Sequence, residues 1–193
     1  VFPCGNGLTV QSRLFRRDPD WRADRRGGGA LAPAVERSWL YESGSLTQRL
    51  KRACGPAFGV RVLLEGEMPP FPGERNALGG SGAFFVREVL LHRAGVPLVA
   101  ARTVIPAATL RGKHAGLAHL GNRPLGEVLF ACPCLERRKL EIARVAPNTW
   151  RNPTLCGETA VWGRRSRYRI ASGNLLVSEF FLPAALDLEE YPV

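Results

Sequence analysis

The sequence predicts a single α+β domain built around an antiparallel β-sheet. Strand-length segments occur in pairs, 84–91 with 98–105 and 161–170 with 175–183, and each pair is joined by a short turn that contains Gly. Parallel strands need a crossover of a dozen or more residues, so these short connections favour antiparallel pairing. Helical patterns are short and few, which predicts helices that pack on the sheet and do not alternate with its strands.

The length and composition are those of one globular domain. The chain of 193 residues, of which 45% are hydrophobic and 23% charged, is long enough to bury a sizeable core. No apolar run approaches the roughly 20 residues of a membrane span. Residues 1–10 lack the basic start and the apolar stretch of a signal peptide. We therefore expect a cytoplasmic protein without stable membrane insertion.

The cysteines and histidines show no ligand or disulfide pattern. Of the five cysteines, Cys132 and Cys134 flank one proline, too close for an ordinary disulfide, and the others are scattered. Such a set is typical of reduced thiols. The sequence contains neither Cys-x-x-Cys nor His-x-x-x-His spacing, so we expect no metal and no other cofactor.

The net charge of +10 comes from 27 Lys and Arg against 17 Asp and Glu. This balance favours an anionic partner. Nucleic acid, an acidic lipid surface and a small polyanionic metabolite are the three alternatives. Most of the basic residues are arginine, whose planar fork suits carboxylates and phosphates. No aromatic and basic motif of a nucleic-acid binder is recognisable, so we expect no nucleic-acid partner.

Taken in order, the chain begins with a region of low core content. Residues 1–36 mix charged residues with Gly and Pro, which predicts a poorly ordered basic tail. The folded domain is predicted over 37–187, and an acidic tail over 188–193. The first helix is predicted over Leu46–Cys54, because Ser45 is a suitable N-cap, apolar residues recur four apart and a glycine follows.

The middle of the chain alternates strand candidates with connections. Residues 60–65 predict a strand, and 76–82 read as a flexible Gly-rich connection without the lysine of a phosphate loop. Residues 109–130 predict one or two short helices broken by glycines, 135–143 fit a strand or a helical turn, and 148–159 fit a loop.

The arginines of strand 161–170 divide between its two faces. Arg164 shares a face with apolar residues and is a weaker candidate for a contact with an anion. Arg165, Arg167 and Arg169 lie on the opposite face, which we expect to be solvated.

Two predicted strands each carry one charged residue on an otherwise apolar face. Side chains two apart share a face, so Glu179 lies with Val177 and Phe181, and Arg87 lies with Phe85 and Val89. A charge buried there costs several kcal/mol unless a partner or a ligand compensates it. The pattern fits either the two ends of a pocket for a small polar ligand or a buried Arg–Glu pair that holds the fold. The two strands alone do not distinguish these interpretations.

Five segments, in order, resemble the chorismate pyruvate-lyase family and together span about 38–186. They are VREVLL at 86–91, ARTVIP at 101–106, PLG with LF at 124–126 and 129–130, WGRRSR at 162–167 and SEFFLP at 178–183. The resemblance implies a six-stranded antiparallel sheet with helices over one face and small helical flaps that close over the ligand. It also implies cleavage of chorismate into 4-hydroxybenzoate and pyruvate, the first committed step of bacterial ubiquinone synthesis.

The resemblance carries functional residues onto four positions of this chain. The ligand arginine falls on Arg87 and the acidic contact on Glu179, and these two are the implied catalytic residues. Two further ligand contacts fall on Leu46 and Leu125. The contact at Leu46 runs through the main chain, so the methionine found there in a family member changes little. We expect a monomer inhibited by its product.

Two other functions fit parts of the sequence. The effector domains of some bacterial transcription regulators are similar in fold and bind small molecules in the same kind of pocket. They carry a DNA-binding module ahead of that domain, and fewer than 40 loosely composed residues precede Trp39 here. A nucleic-acid binder is supported by charge alone. The lyase is therefore the preferred prediction.

Overall fold

The computed structural model describes residues 11–24, 31–79, 81–171 and 173–188. Parts of both predicted tails lie outside the described residues, namely 1–10, 25–30 and 189–193. Within the described ranges, no helix is long and apolar enough to cross a membrane.

One antiparallel sheet of seven strands forms the centre of the fold, in the order β1-β5-β6-β7-β4-β3-β2. The α+β prediction is confirmed, and a two-residue edge strand adds to the six long ones. The strands are β1 Arg22–Ala23, β2 Phe58–Glu67, β3 Phe84–Arg93, β4 Val96–Pro106, β5 Glu136–Val145, β6 Val161–Ile170 and β7 Gly173–Phe181. The ambiguous segment 135–143 is thus mostly strand.

The tight turns and the helices follow local sequence signals. The β3–β4 turn places Ala94 and Gly95 at φ 46° and 88°, the left-handed pair that a two-residue hairpin requires. The helices are α1 Ala34–Leu40, α2 Leu46–Cys54, α3 Pro72–Leu78, α4 Leu125–Phe130 and α5 Pro183–Leu186. The Ser45 hydroxyl accepts a hydrogen bond from the Gln48 amide at the start of α2, as predicted.

Helix α3 differs from the expected flexible connection over 76–82. Its first residue is Pro72, which is pre-set for a first helical turn, and the Phe71 amide donates to the Glu74 carboxylate at 2.8 Å. The glycine-rich composition after Leu78 concealed a helix that ends at Leu78, with Gly79 as its C-cap at φ 71°.

The sheet is covered on both faces. We call the face that carries Arg87 and Glu179 the front face; α1, α2, α4 and α5 pack on it. The back face is covered by residues 11–24, by α3 and by the loop that contains Trp150. The two cores are therefore separated by the sheet itself.

Residues 11–24 differ from the expected poorly ordered tail. Leu14 and Phe15 are buried, and the Phe15 ring lies 4.7 Å from the rings of both Trp150 and Phe180. Charged residues outnumber apolar ones in this segment, so its composition concealed the packing of the apolar pair.

The expectation of a solvated face for the second set of β6 arginines is wrong for Arg165. Arg165 is buried on the back face, donates from Nε to Glu141 at 2.8 Å and lies over the Trp21 ring at 4.8 Å. Arg167 is half-buried and donates to the carbonyl oxygen of Ala77, whereas Arg169 is exposed. The reason is the cover that the N-terminal segment and α3 supply.

A charged network on the back face fixes the N-terminal segment to the sheet. Arg102 donates from Nε and Nη2 to Glu74 at 2.6 and 2.9 Å, and from Nη1 to Glu88 at 2.7 Å. Glu88 also accepts from the Ser12 hydroxyl at 2.6 Å and from the Arg13 amide at 2.6 Å. Burial alone would lower the pKa of Arg102, but the two carboxylates raise it above its usual value.

Replacing Arg102 by Met should destabilise the fold strongly. The change leaves two buried carboxylates without their cation, which costs about 3–5 kcal/mol of unfolding free energy. Urea unfolding at neutral pH measures it. Arg22→Met is the control, because Arg22 pairs with Asp20 on the surface and should change stability by less than about 0.5 kcal/mol. Equal effects of the two changes would contradict the assignment of a buried clamp to Arg102.

Candidate functional site

A mostly apolar cavity lies between the front face of the sheet and helices α2 and α4. The space between its walls amounts to about 530 Å³, including the part open to solvent. Its walls are Leu46, Thr47, Arg87, Val89, Leu91, Ala101, Thr103, Pro124, Leu125, Gly126, Leu129, Phe130, Tyr168, Val177 and Glu179. All four site residues predicted from the sequence are among them.

The strand register places the two predicted charges on one face without letting them pair. Arg87 on β3 is opposite Thr103 on β4, whereas Glu179 on β7 is opposite Ala101 on β4. Two strand spacings of about 4.8 Å and two residues of about 3.4 Å along the strand therefore separate their backbones. The alternative of a direct Arg87–Glu179 pair is not what the structure has.

Arg87 is held by a different carboxylate and by the loop before α4. Its Nε donates to Glu65 on β2 at 2.9 Å, and its Nη2 donates to the carbonyl oxygens of Gly121 and Arg123 at 2.6 and 3.1 Å. Burial lowers the pKa of the guanidinium although Glu65 acts to raise it. Nη1 makes no hydrogen bond to any described residue, so it is the nitrogen available to a ligand.

Glu179 is held by Arg164, its direct neighbour in the β6–β7 register. Arg164 donates from Nε to Glu179 Oε2 at 2.6 Å. Within the described chain, Oε1 of Glu179 accepts no hydrogen bond, and the side chain keeps 12% of its surface exposed. The carboxylate thus has one anchored oxygen and one oxygen available to a ligand.

Arg164 does not reach the cavity as the proposed third anion contact. It is 1% exposed and is absent from the residues that line the cavity. Its Nη1 donates to the carbonyl oxygens of Trp39, Leu40 and Glu42 at 3.1, 3.4 and 2.7 Å. Burial alone would lower the pKa of Arg164, but the charge of Glu179 raises it.

Helices α2 and α4 meet above the cavity. Leu46 and Leu125 are the first residues of these helices, and both lie on its wall. Lys51 and Glu127 form an ion pair between the two helices. A Cβ at Gly126 would lie 2.5 Å from Thr47 Oγ1, so the missing side chain lets the helices approach. Gly126 is therefore a contact position inside α4 and not a hinge.

Sequence reasoning missed Glu65 and Tyr168. Glu65 lies opposite Arg87 across the β2–β3 pair, and this register could not be read from the sequence. Tyr168 lies on the same face of β6 as Arg164, which the alternation of side chains along the strand already indicated. Its hydroxyl accepts hydrogen bonds from Arg137 Nε and Nη2 at 3.1 and 2.7 Å.

Sequence comparison gives the family of the chain. The sequence model of the family described as chorismate lyase matches residues 28–189. The chain belongs to the chorismate lyase family. A probable chorismate pyruvate-lyase of Methylococcus capsulatus is 50% identical over 159 residues, which cover 79% of this chain and 98% of that protein. A similarly named protein of Shewanella amazonensis is 40% identical over 96% of this chain and 93% of its own length.

Solved structures share the fold of this chorismate lyase family member at low identity. A transcriptional regulator of the GntR family from Bacillus cereus gives a TM-score of 0.50 at 11% identity, covering 71% of this chain and 99% of that chain. The C-terminal domain of the histidine utilization repressor from Pseudomonas syringae pv. tomato gives a TM-score of 0.50 at 9% identity, covering 70% of this chain and 99% of that chain. Such likeness shows the fold alone.

Gly126→Ala should loosen the contact between α2 and α4. An exposed helix gains about 1 kcal/mol from this change, so a net loss of about 1–3 kcal/mol would report the overlap with Thr47. Urea unfolding measures the loss. In the double variant with Thr47→Ala, which removes the overlapping hydroxyl, most of the stability should return. Equal stability of Gly126→Ala and wild type would contradict the close approach.

Proposed function

We propose that this protein cleaves chorismate into 4-hydroxybenzoate and pyruvate, as a cytoplasmic monomer that supplies ubiquinone synthesis. Membership of the chorismate lyase family and the names of its relatives support this function. The observation that carries it is a mostly apolar cavity with a guanidinium nitrogen and a carboxylate oxygen at separate positions on its wall. A non-enzymatic effector domain is supported by fold likeness only and is not favoured.

The substrate has chemistry that matches these two groups. The ring carboxylate of chorismate would accept from Arg87 Nη1, the nitrogen that Glu65 and the carbonyls leave unused. The ring 4-hydroxyl would meet Glu179 Oε1. A main-chain contact from Leu46 and a contact from Leu125 would hold the substrate between α2 and α4. The bidentate contact that an arginine can make with a carboxylate is not formed in this scheme, because Nε and Nη2 of Arg87 already donate to Glu65 and to two carbonyl oxygens.

The reaction needs little from the protein besides placement and exclusion of water. The bond between ring C3 and the ether oxygen breaks, hydrogen leaves C4, and the ring becomes aromatic. The departing enolpyruvyl group takes up a proton and becomes pyruvate, so atoms and charge balance. Glu179 accepts the proton from C4 and returns one to the enolpyruvyl group, or the proton passes within the substrate while Glu179 orients the hydroxyl. In both cases a fixed geometry in a dry cavity lowers the barrier.

A direct assay tests the function. Purified protein is mixed with chorismate, and 4-hydroxybenzoate and pyruvate are measured by chromatography. We expect equal amounts of both products, at a rate proportional to the protein concentration. Consumption of chorismate to another product, or no consumption by folded protein, would refute the proposal.

Arg87→Ala should lower kcat/KM by about two to three powers of ten, since a desolvated carboxylate then lacks its partner at a cost of about 3–5 kcal/mol. Steady-state kinetics with chorismate measure the loss. Glu65→Gln is the matched control, because the amide oxygen still accepts from Arg87 Nε while a negative charge near an anionic substrate is removed. This variant should bind substrate at least as well as wild type. Near-normal kinetics of Arg87→Ala would remove Arg87 from the site.

Product release should limit turnover. A flat aromatic acid between the sheet and the two helices leaves only when α2 and α4 separate, and Gly55 and Gly121, with φ of 54° and 52°, flank the moving parts. Excess chorismate should give a rapid first turnover followed by a slower phase, and added 4-hydroxybenzoate should inhibit.

The ion pair between the helices offers a control for this release step. Lys51→Gln removes the cation that pairs with Glu127 and should raise the rate of the slow phase by up to about fivefold. A linear time course with weak product inhibition would place the slow step in the chemistry instead.

A further inference from the structure

Arg164 connects the acidic wall of the cavity to the chain that leads into α2. One edge of its guanidinium binds Glu179 Oε2 at 2.6 Å. Its Nη1 donates to three carbonyl oxygens, at Trp39, Leu40 and Glu42. Helix α2 begins four residues after Glu42, at Leu46 on the cavity wall. A single buried side chain therefore joins two walls of the site.

We propose that Arg164 is a positioning residue for the lyase reaction, which holds the Glu179 side chain with Oε1 toward the substrate and sets the distance from Glu179 to α2. The inference rests on the proposed function. Arg164 does not touch the substrate in this scheme, because it acts through Glu179, whose position relative to α2 it sets by also binding the carbonyl oxygens.

The pair of Arg164 and Glu179 fixes the direction of the carboxylate by electrostatic attraction. Glu179 lies among Ala101, Val177 and Val89 on the front face, where few atoms can compensate a charge. Arg164 is directly opposite it across β6 and β7, so the pairing is set by the ladder and not by a flexible loop. A charge-assisted hydrogen bond to one oxygen leaves the other with a fixed direction.

Arg164 also holds the end of α1. The last carbonyl oxygens of a helix have no partner inside it, and those of Trp39 and Leu40 lie at the end of α1. Arg164 satisfies them, and Arg137 Nη1 donates to the same Glu42 oxygen at 3.1 Å while Arg137 also binds the Tyr168 hydroxyl. The connection between α1 and α2 is thus fixed at the sheet by two arginines.

A lysine cannot reproduce this geometry. Its ammonium is a single point of donation on a flexible stem, so it reaches Glu179 or the carbonyl oxygens but not both in the same arrangement. Misplacement of a reacting group by about 1 Å costs about a hundredfold in rate. Arg164→Lys should therefore lower kcat for chorismate by about a hundredfold.

The test is a double-mutant cycle in kcat with Arg164→Lys, Glu179→Gln and the double variant. In the Glu179→Gln background, Arg164→Lys should lower kcat by less than a further factor of about three, because Arg164 acts through Glu179. Losses that multiply independently would overturn the inference. If the lysine variant does not fold, Arg164→Gln takes its place in the cycle and is judged by the same criterion.

The neighbouring arginine is the control for stability. Arg165 is also buried but faces Glu141 and Trp21 on the back of the sheet. Arg165→Lys should lower the melting temperature and leave kcat within about twofold, because core changes away from the site act on stability. A wild-type protein without lyase activity would refute the proposed function and this inference together. An active wild type with multiplicative losses would refute the inference alone.

Discussion

The burial of charge on an apolar sheet face is the constraint on which the rest of the structure depends. Arg87 and Glu179 would each destabilise the front face if left alone, yet neither is the partner of the other. Glu65 compensates the first and Arg164 the second. Among the described residues, Arg87 Nη1 and Glu179 Oε1 make no hydrogen bond, because Glu65 and two loop carbonyl oxygens bind the other nitrogens of Arg87 and Arg164 binds the other oxygen of Glu179. The fold thus stabilises both charges while keeping the two side chains on the wall of the cavity.

Polar and charged residues on the back face lie next in sequence to the residues of the front face. A row of residues across the back, Glu88, Arg102, Ser178, Arg165 and Glu141, follows the register of five adjacent strands. Each of these residues is the immediate neighbour in sequence of a residue on the front face. The back row therefore stabilises the strands that carry Arg87, Glu179 and Arg164 on their other face, and the N-terminal segment completes that row through Ser12.

Local patterns in the sequence predicted the antiparallel sheet, helix α2 and the four cavity residues, because alternation, a serine cap and family motifs are properties of short segments. Pairing between distant segments could not be read in this way. Nothing local links Glu65 to Arg87, Glu88 to Ser12, or Arg165 to Trp21. The N-terminal segment has the composition of a tail because charged residues outnumber its apolar residues. Its contacts with the sheet exist only in the folded protein, so the composition does not reveal them.

The most direct test of the central claim is a crystal structure of the complex with 4-hydroxybenzoate. The account predicts the carboxylate within hydrogen-bond distance of Arg87 Nη1 and the hydroxyl at Glu179 Oε1, about 2.6–3.2 Å between heavy atoms, with the Glu65 and Arg164 contacts retained. A ligand bound in the opposite direction or outside this cavity would contradict it. So would a complex in which Arg87 or Glu179 leaves its partner to reach the ligand.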